Sequence, residues 1–286
     1  MQQLAARLAT SAVLIAVSCW ALFIGPLWAF ALILTAFIAL ALHEFFAMAR
    51  HRGIAIHYWL SIALGAAFTA LVAWRSLVEP GLMHTPVLEG RSALLSWTWD
   101  IFWPATIVLI FLRQLMRENT FEALSSLATT LFGLAYIAGL LSYLFYIRAL
   151  NDHHGAWLVL YLVLVTKMGD AGAFALGKLL GRHTLVARIS PRKTIEGSLG
   201  GVLVSAATGA FAQSLVPQLQ GSLLTGACVG LVLGTAGQVG DLAESLIKRD
   251  CQVKDSGRLP GLGGVLDVLD SIIFTAPLFY AFLIYR

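Results

Sequence analysis

Gln238-Val-Gly-Asp241-Leu-Ala-Glu244-Ser245-Leu-Ile-Lys248-Arg249-Asp-Cys251-Gln-Val-Lys254-Asp255-Ser-Gly257-Arg258-Leu-Pro260-Gly-Leu262-Gly263-Gly264-Val-Leu-Asp267-Val-Leu-Asp270-Ser271 is the stretch on which the reading of this chain turns. It sets a dense cluster of charge between two apolar runs, and charge at the edge of a hydrophobic segment is costly unless something uses it. Around it the chain is 59% hydrophobic and 12% charged, against about a quarter charged in soluble domains. The composition therefore predicts an all-α polytopic membrane helix bundle.

Working outward, an apolar run needs roughly twenty residues to cross about 30 Å of hydrocarbon. Nine candidates meet or approach that length, near 9–25, 27–48, 57–78, 94–112, 124–147, 156–178, 196–217, 221–246 and 265–285. Gly25-Pro26 predicts a tight turn between the first two. A cleaved signal peptide is the alternative for the first run, but Arg7 alone makes a thin basic region and no small-residue cleavage site follows, which favours a retained helix.

Nine spans with a cytoplasmic N-terminus put fourteen of the nineteen basic residues on one side, leaving Arg75, Arg91, Arg148 and Arg286 on the other and Lys167 inside a span. That bias is the orientation signal of membrane helices, and it removes the case for nucleic-acid binding that the net charge of +4 would otherwise raise. The expected organisation is a single integral membrane domain over 1–286, with N-terminal helices in 1–150. Catalytic C-terminal helices follow in 151–286, with cytoplasmic loops at 179–195 and 247–264. The loop at 79–93 falls on the far side, followed by Trp97 and Trp99 as interfacial anchors. Cys19, Cys228 and Cys251 form no CxxC pair and predict reduced thiols.

Four places carry possible chemistry. Lys167 and Asp170 stand at i, i+3 within the sixth run, where they can pair; a pair that lets the helix insert and a role in a pocket are both open. Gly172 to Lys178 matches the start of a P-loop, but Leu179 replaces its Ser or Thr and no strand precedes it, so the glycines are assigned to close helix packing. Ser190-Pro191-Arg192-Lys193-Thr194-Ile195-Glu196-Gly197 predicts a helix start capped by Ser190 with Pro191 at the first position, suited to an anionic phosphate. Asp241 and Glu244, then Asp267 and Asp270, form two i, i+3 carboxylate pairs on separate helices, a donor set suited to Mg²⁺. Between those pairs lie Lys248, Arg249, Lys254, Asp255 and Arg258 and a glycine-rich segment, as a di- or triphosphate requires. His43-Glu44 closes the second run and is read as structural.

At these residues the chain resembles the phosphatidate cytidylyltransferase (CDP-diglyceride synthase) family of membrane enzymes. Ser190 to Gly197 is similar to that family's second motif, Gly240-Asp241-Leu-Ala-Glu244-Ser245 to its third, and Ser245 to Asp270 to its C-terminal signature. The departures are local. Leu262 stands where the family has histidine and Val268 where it has arginine. One residue is missing between Gly257 and Leu259. Asp170-Ala171-Gly172-Ala173-Phe174 replaces Asp-Thr-Gly-Ala-Tyr, and Lys167 replaces an aromatic residue.

The resemblance implies attack of the phosphate of phosphatidic acid on the α-phosphorus of CTP, with pyrophosphate leaving. It implies Asp241 and Asp267 as first metal ligands, with Asp270 and Glu244 as further ligands or outer partners. Lys248, Arg249 and Lys254 fall to the triphosphate. Ser190, Arg192, Lys193 and Thr194 fall to a substrate phosphate, with Glu196, Asp170, Asp255, Gly263 and Gly264 also at the substrates. The cofactor is Mg²⁺, with a second, monovalent cation such as K⁺ left open. Partners are CTP, phosphatidic acid or a related lipid phosphate, and membrane lipid; a homodimer is left open. The expected location is the inner (plasma) membrane, multi-pass, with the active site cytoplasmic. Two alternatives stand: a paralogue acting on another lipid phosphate, and an inactive membrane binding or scaffold protein. A transporter reading predicts charge on both faces, and a CDP-alcohol phosphotransferase requires an Asp-Gly-x-x-Ala-Arg pattern that this sequence lacks.

Overall fold

A computed structural model describes residues 13, 15–78, 101–117, 122–150, 154–216, 219, 221–257 and 263–285. Helix α1 (residues 15–23) stops before Gly25-Pro26, and α2 (Leu27–His51) starts directly after it. Proline has no N–H to leave unsatisfied there and its fixed φ suits the entry to a helix. Then come α3 (Tyr58–Val78), α4 (Trp103–Leu115), α5 (Ala123–Ala149), α6 (Gly155–Leu180), α7 (Ile195–Ala212), α8 (Leu223–Asp250) and α9 (Val265–Tyr285).

Six of these, α2 and α5 to α9, are long and apolar enough to cross a membrane, while the apolar helices Tyr58–Trp74 and Trp103–Leu115 are shorter. The chain is thus a multi-pass helical membrane protein, and the first expected span, at 9–25, lies partly outside the described residues. So do the loop at 79–93 and Arg7, Arg91, Trp97, Trp99, Arg258, Leu259, Leu262 and Arg286.

The chain divides into two compact units, one of Met1–Ala149 with Cys251–Val268, the other of Leu150–Asp250 with Leu269–Arg286. The segment after α8 belongs with the N-terminal helices.

In the first unit α2 lies along α3, and aromatic contact joins α2 to α5: the Phe45 ring lies against that of Phe132 with centroids 6.0 Å apart, and Phe132 in turn stacks on Tyr136 of its own helix. Arg117 holds the α2–α3 turn by donating to Ala55 O at 2.6 Å and Ile56 O at 2.9 Å, and buried His57 shares a 2.9 Å hydrogen bond with Gln114.

The second unit is built on close approach of α6, α7 and α8. Lipid tails are as apolar as leucine, so membrane helices associate through small residues and hydrogen bonds rather than through a hydrophobic drive. A Cβ on Gly230 of α8 would lie 2.8 Å from Ala206 Cα of α7, too near for any side chain. Buried Ser205 donates to Val165 O at 3.1 Å, and buried Tyr161 donates to Gly209 O at 3.2 Å. The glycines of the P-loop-like run serve this packing, since a Cβ on Gly172 would meet Val204 at 2.7 Å.

Candidate active site

The link between α6 and α7 departs from the helix start that Ser190-Pro191 predicts. Ser190 begins a strand. β1 (Thr184–Val186) and β2 (Ser190–Thr194) pair antiparallel, Thr184 opposite Thr194 and Val186 opposite Ser190. The residue before a proline is pushed into extended conformation, and a two-stranded ribbon has only edges, where a missing N–H costs little. Helix α7 is instead capped by Thr194, whose Oγ1 accepts from Gly197 N at 3.1 Å. The cap therefore moves four residues along, and Arg192 and Lys193 are carried by a hairpin rather than a first helical turn.

This hairpin closes one side of a cleft of about 450 Å³, within the range of small-molecule sites. Lys178 and Phe174 of α6, Arg192, Lys193 and Thr194 of the hairpin, and Gln238 and Asp241 of α8 line it, together with Asp170. Three cations and two carboxylates facing one cavity suit an anionic ligand that also brings or shares a cation. Five of the expected site residues meet here: Asp170, Arg192, Lys193, Thr194 and Asp241.

In the structure these charges pair with one another. Lys193 Nζ, withdrawn from solvent, stands 2.7 Å from Asp241 Oδ2. Lys167 donates to Asp170 at 3.1 Å and to Ser271 Oγ at 2.8 Å, and Ser271 Oγ donates to the same Asp170 oxygen at 2.9 Å. The expected pair of Lys167 and Asp170 is thus present, and Asp170 also lines the cleft. Buried Asp270 accepts from Ser271 N at 2.6 Å. Gly240 brings α8 against α9 at this point, since a Cβ there would lie 2.5 Å from Asp270 O.

Of the four carboxylates expected at one metal, Asp241, Glu244 and Asp270 lie in the second unit and Asp267 in the first. Among the described residues no three His, Cys, Asp or Glu side chains group closely enough to hold a metal ion. Glu244 is fully buried and paired with Lys248, one turn along α8. Their i, i+4 spacing makes this local pair the nearest solution for two charges inside a helix bundle. Arg249 is exposed and donates to Ile189 O at 3.1 Å, bracing the hairpin turn. Glu196 is occupied too: its carboxylate accepts from Arg182 N at 3.1 Å and His183 N at 3.2 Å, and contacts His183 Nδ1 at 2.6 Å.

The remaining expected residues lie in the first unit. Lys254 and Asp255 are exposed. Asp267 Oδ2 accepts from Ser256 N at 3.1 Å. Gly263, with φ +79°, takes a left-handed conformation that a side chain would strain, and Gly264 packs against Ser256 and Glu44.

Sequence reasoning missed two features. Gln238 and Ser198 form a reciprocal pair on the cleft wall, with Gln238 Nε2 donating to Ser198 O at 2.7 Å and the two side chains bonded to each other. Glu44, named in the sequence only as closing the second apolar run, is buried, and a carboxylate at that place was the available signal that it needs donors.

The family model described as the cytidylyltransferase family matches residues 5–285. A phosphatidate cytidylyltransferase of Synechocystis is 35% identical over 283 residues, an alignment covering 90% of this chain and 89% of that protein. One from Staphylococcus epidermidis is 33% identical over 241 residues, 79% of this chain and 90% of that protein. An uncharacterized Escherichia coli protein, YnbB, is 41% identical over 157 residues; the alignment covers 54% of this chain and 51% of that protein.

Proposed function

Because this chain belongs to the cytidylyltransferase family, we propose that it is a CTP:phosphatidate cytidylyltransferase, joining the phosphate of phosphatidic acid to the α-phosphorus of CTP to form CDP-diacylglycerol and pyrophosphate. The observation that carries this reading is the cleft of the second unit, where Lys178, Arg192 and Lys193 face Asp170 and Asp241 among membrane-length helices. Nucleotidyl transfer asks the protein mainly for positioning and charge neutralisation. A phosphate monoester with a second pKa of about 6 is already anionic at neutral pH and needs no strong general base. Arg192 and Lys193 would hold phosphate oxygens, Arg192 as a bidentate fork and Lys193 as a point charge. The Thr194 hydroxyl, already accepting from Gly197 N, keeps its own hydrogen to donate.

The carboxylates suit magnesium when substrate completes the site. Mg²⁺ is commonly held by one or two carboxylates, water and substrate phosphates rather than by a protein cage, and Gly240, the residue before Asp241, packs against the backbone of buried Asp270. Asp241 and Asp270 would hold the ion, which supplies charge stabilisation to the triphosphate and the departing pyrophosphate. Asp267 is proposed to serve the same chemistry on the strength of its signature stretch. Lys167 already places one ammonium beside Asp170. The bias of cations toward one side supports an inner-membrane location with the cleft on the cytoplasmic side.

The test uses purified full-length protein in lipid nanodiscs with Mg²⁺, CTP labelled at the α-phosphate, and a panel of lipid phosphates. Label on phosphatidic acid is expected, lost with chelator. Label on another lipid phosphate alone would replace the acceptor, and no labelled lipid with any acceptor would refute the enzymatic reading.

A further inference from the structure

Glu44 of α2 is 6% exposed, and its carboxylate is held by three donors. Ser256 Oγ donates to Oε2 at 2.9 Å, Val265 N to Oε1 at 2.9 Å and Leu266 N to Oε2 at 2.8 Å. Val265 and Leu266 are the first two residues of α9, whose N–H groups have no partner within their own helix. A carboxylate is the best acceptor for them, because it meets both the hydrogen-bonding need and the positive end of the helix dipole. The cap comes from more than two hundred positions earlier in the chain, so it fixes where α9 begins relative to α2.

The surrounding backbone is shaped to this side chain. A Cβ on Gly257 would collide with Glu44 Oε1, and one on Gly264 would lie 2.7 Å from Oε2 and collide with Ser256 Oγ. Ser256 is the joint of the network: its hydroxyl donates to Glu44 and its N–H donates to Asp267 Oδ2 at 3.1 Å. Asp267 also follows directly on the two residues that Glu44 caps. Moving Glu44 would release both the turn of α9 that carries Asp267 and the donor that orients its carboxylate.

We infer that Glu44 is a positioning residue for the reaction, a buried clamp that sets the start of α9 and thereby the orientation of Asp267. This rests on the proposed activity and on Asp267 serving it. The clamp explains why Ser256, Gly257 and Gly264 stand where they do: two small residues and a hydroxyl leave room for, and bond, a carboxylate arriving from another helix.

The experiment compares wild type, Glu44→Gln, Glu44→Asp, Ser256→Ala and the Glu44→Gln/Ser256→Ala double variant, all full length in nanodiscs. Glu44→Gln keeps the volume but turns an NH₂ toward donors. Loss of a residue that orients a ligand residue typically lowers activity by about 10–100-fold. A fall of that size in kcat is expected for Glu44→Gln, with KM for CTP changed less. The double variant should be no worse than the worse single one, because both break one network. Amide exchange at Ser256, Val265 and Leu266 should rise in Glu44→Gln while α6 to α8 stay protected. Unchanged kcat in Glu44→Gln with an active wild type, or unchanged exchange at those three amides, would overturn the inference. Additive losses that track thermal stability alone would do the same. An inactive wild type would refute the proposed activity instead, and the exchange measurement then decides the clamp by itself.

Discussion

Replacing Lys193 by methionine tests the cleft directly, because the structure separates its effect on folding from its effect on substrate. The Lys193 and Asp241 side chains are 27% and 37% exposed, so water still reaches the Asp241 end of their 2.7 Å pair although the Lys193 ammonium itself is withdrawn from solvent. A pair of that kind contributes only about 0–1 kcal/mol to stability, and methionine keeps most of the apolar stem. Lys193→Met should therefore fold as wild type. Against a substrate phosphate the same ammonium makes a charge-assisted hydrogen bond of about 1.5–3 kcal/mol, which is roughly a 10- to 100-fold loss in kcat/KM. The change should also free Asp241. Magnesium binding to the nucleotide-free protein should then tighten, while CTP or lipid phosphate binds less well. Steady-state labelling in nanodiscs measures the first quantity and calorimetric titration with Mg²⁺ the second. Lys193→Arg should lie between wild type and Lys193→Met, since it keeps the charge and changes the geometry. If Lys193→Met folds and its kcat/KM stays within about twofold of wild type, the cleft is not where the phosphate binds.

Three other outcomes follow from the same geometry. Thr194→Ala removes the cap of α7 and should cost about 1 kcal/mol in denaturant unfolding, while Thr194→Ser should recover most of it; equal stability of all three would refute the cap assignment. Gly240→Ala places a Cβ 2.5 Å from Asp270 O and 3.2 Å from the Phe274 ring. It should destabilise by about 1–3 kcal/mol and lower activity through Asp270, whereas a stable, fully active variant would contradict the close helix approach. Burial, with help from Arg117, holds the His57 imidazole below its ordinary value of 6.5. The unfolded chain therefore takes up the proton first. Stability from this group is intact above pH 6.5 and declines as pH falls toward the lowered folded value. His57→Gln should flatten that part of the stability profile, and an unchanged profile would refute the assignment.

Membrane character, the placing of most helices and the turn at Gly25-Pro26 were legible in the sequence. So was the pairing of Lys167 with Asp170, and the signature around Asp241 carried the family. These depend on local composition and on spacing along one helix, where the periodicity of 3.6 residues fixes which side chains can meet. The cap of α7 was misread because Ser190-Pro191 and Thr194-Ile-Glu-Gly197 both resemble helix starts. A strand pairing across the intervening turn decided between them, and pairing is not a property of either segment alone.

Where carboxylates go was the harder question, because spacing brings charges to one face without saying what they meet. Glu244 and Asp241 share a helix face by count, yet one is sealed against Lys248 and the other opens on the cleft beside Lys193. Depth in the bundle divides them, and depth is set by the packing of α6, α7 and α8. Glu44 shows the same limit from the other side. By sequence it is one acid at the end of an apolar run; in the fold it caps a helix more than two hundred residues away. A buried carboxylate must find donors wherever the chain brings them. The sequence determined that this chain is a membrane helix bundle of the cytidylyltransferase type. Only the tertiary structure decided which acids face the cleft and which hold the helices, because that choice depends on desolvation and long-range contacts that no local pattern encodes.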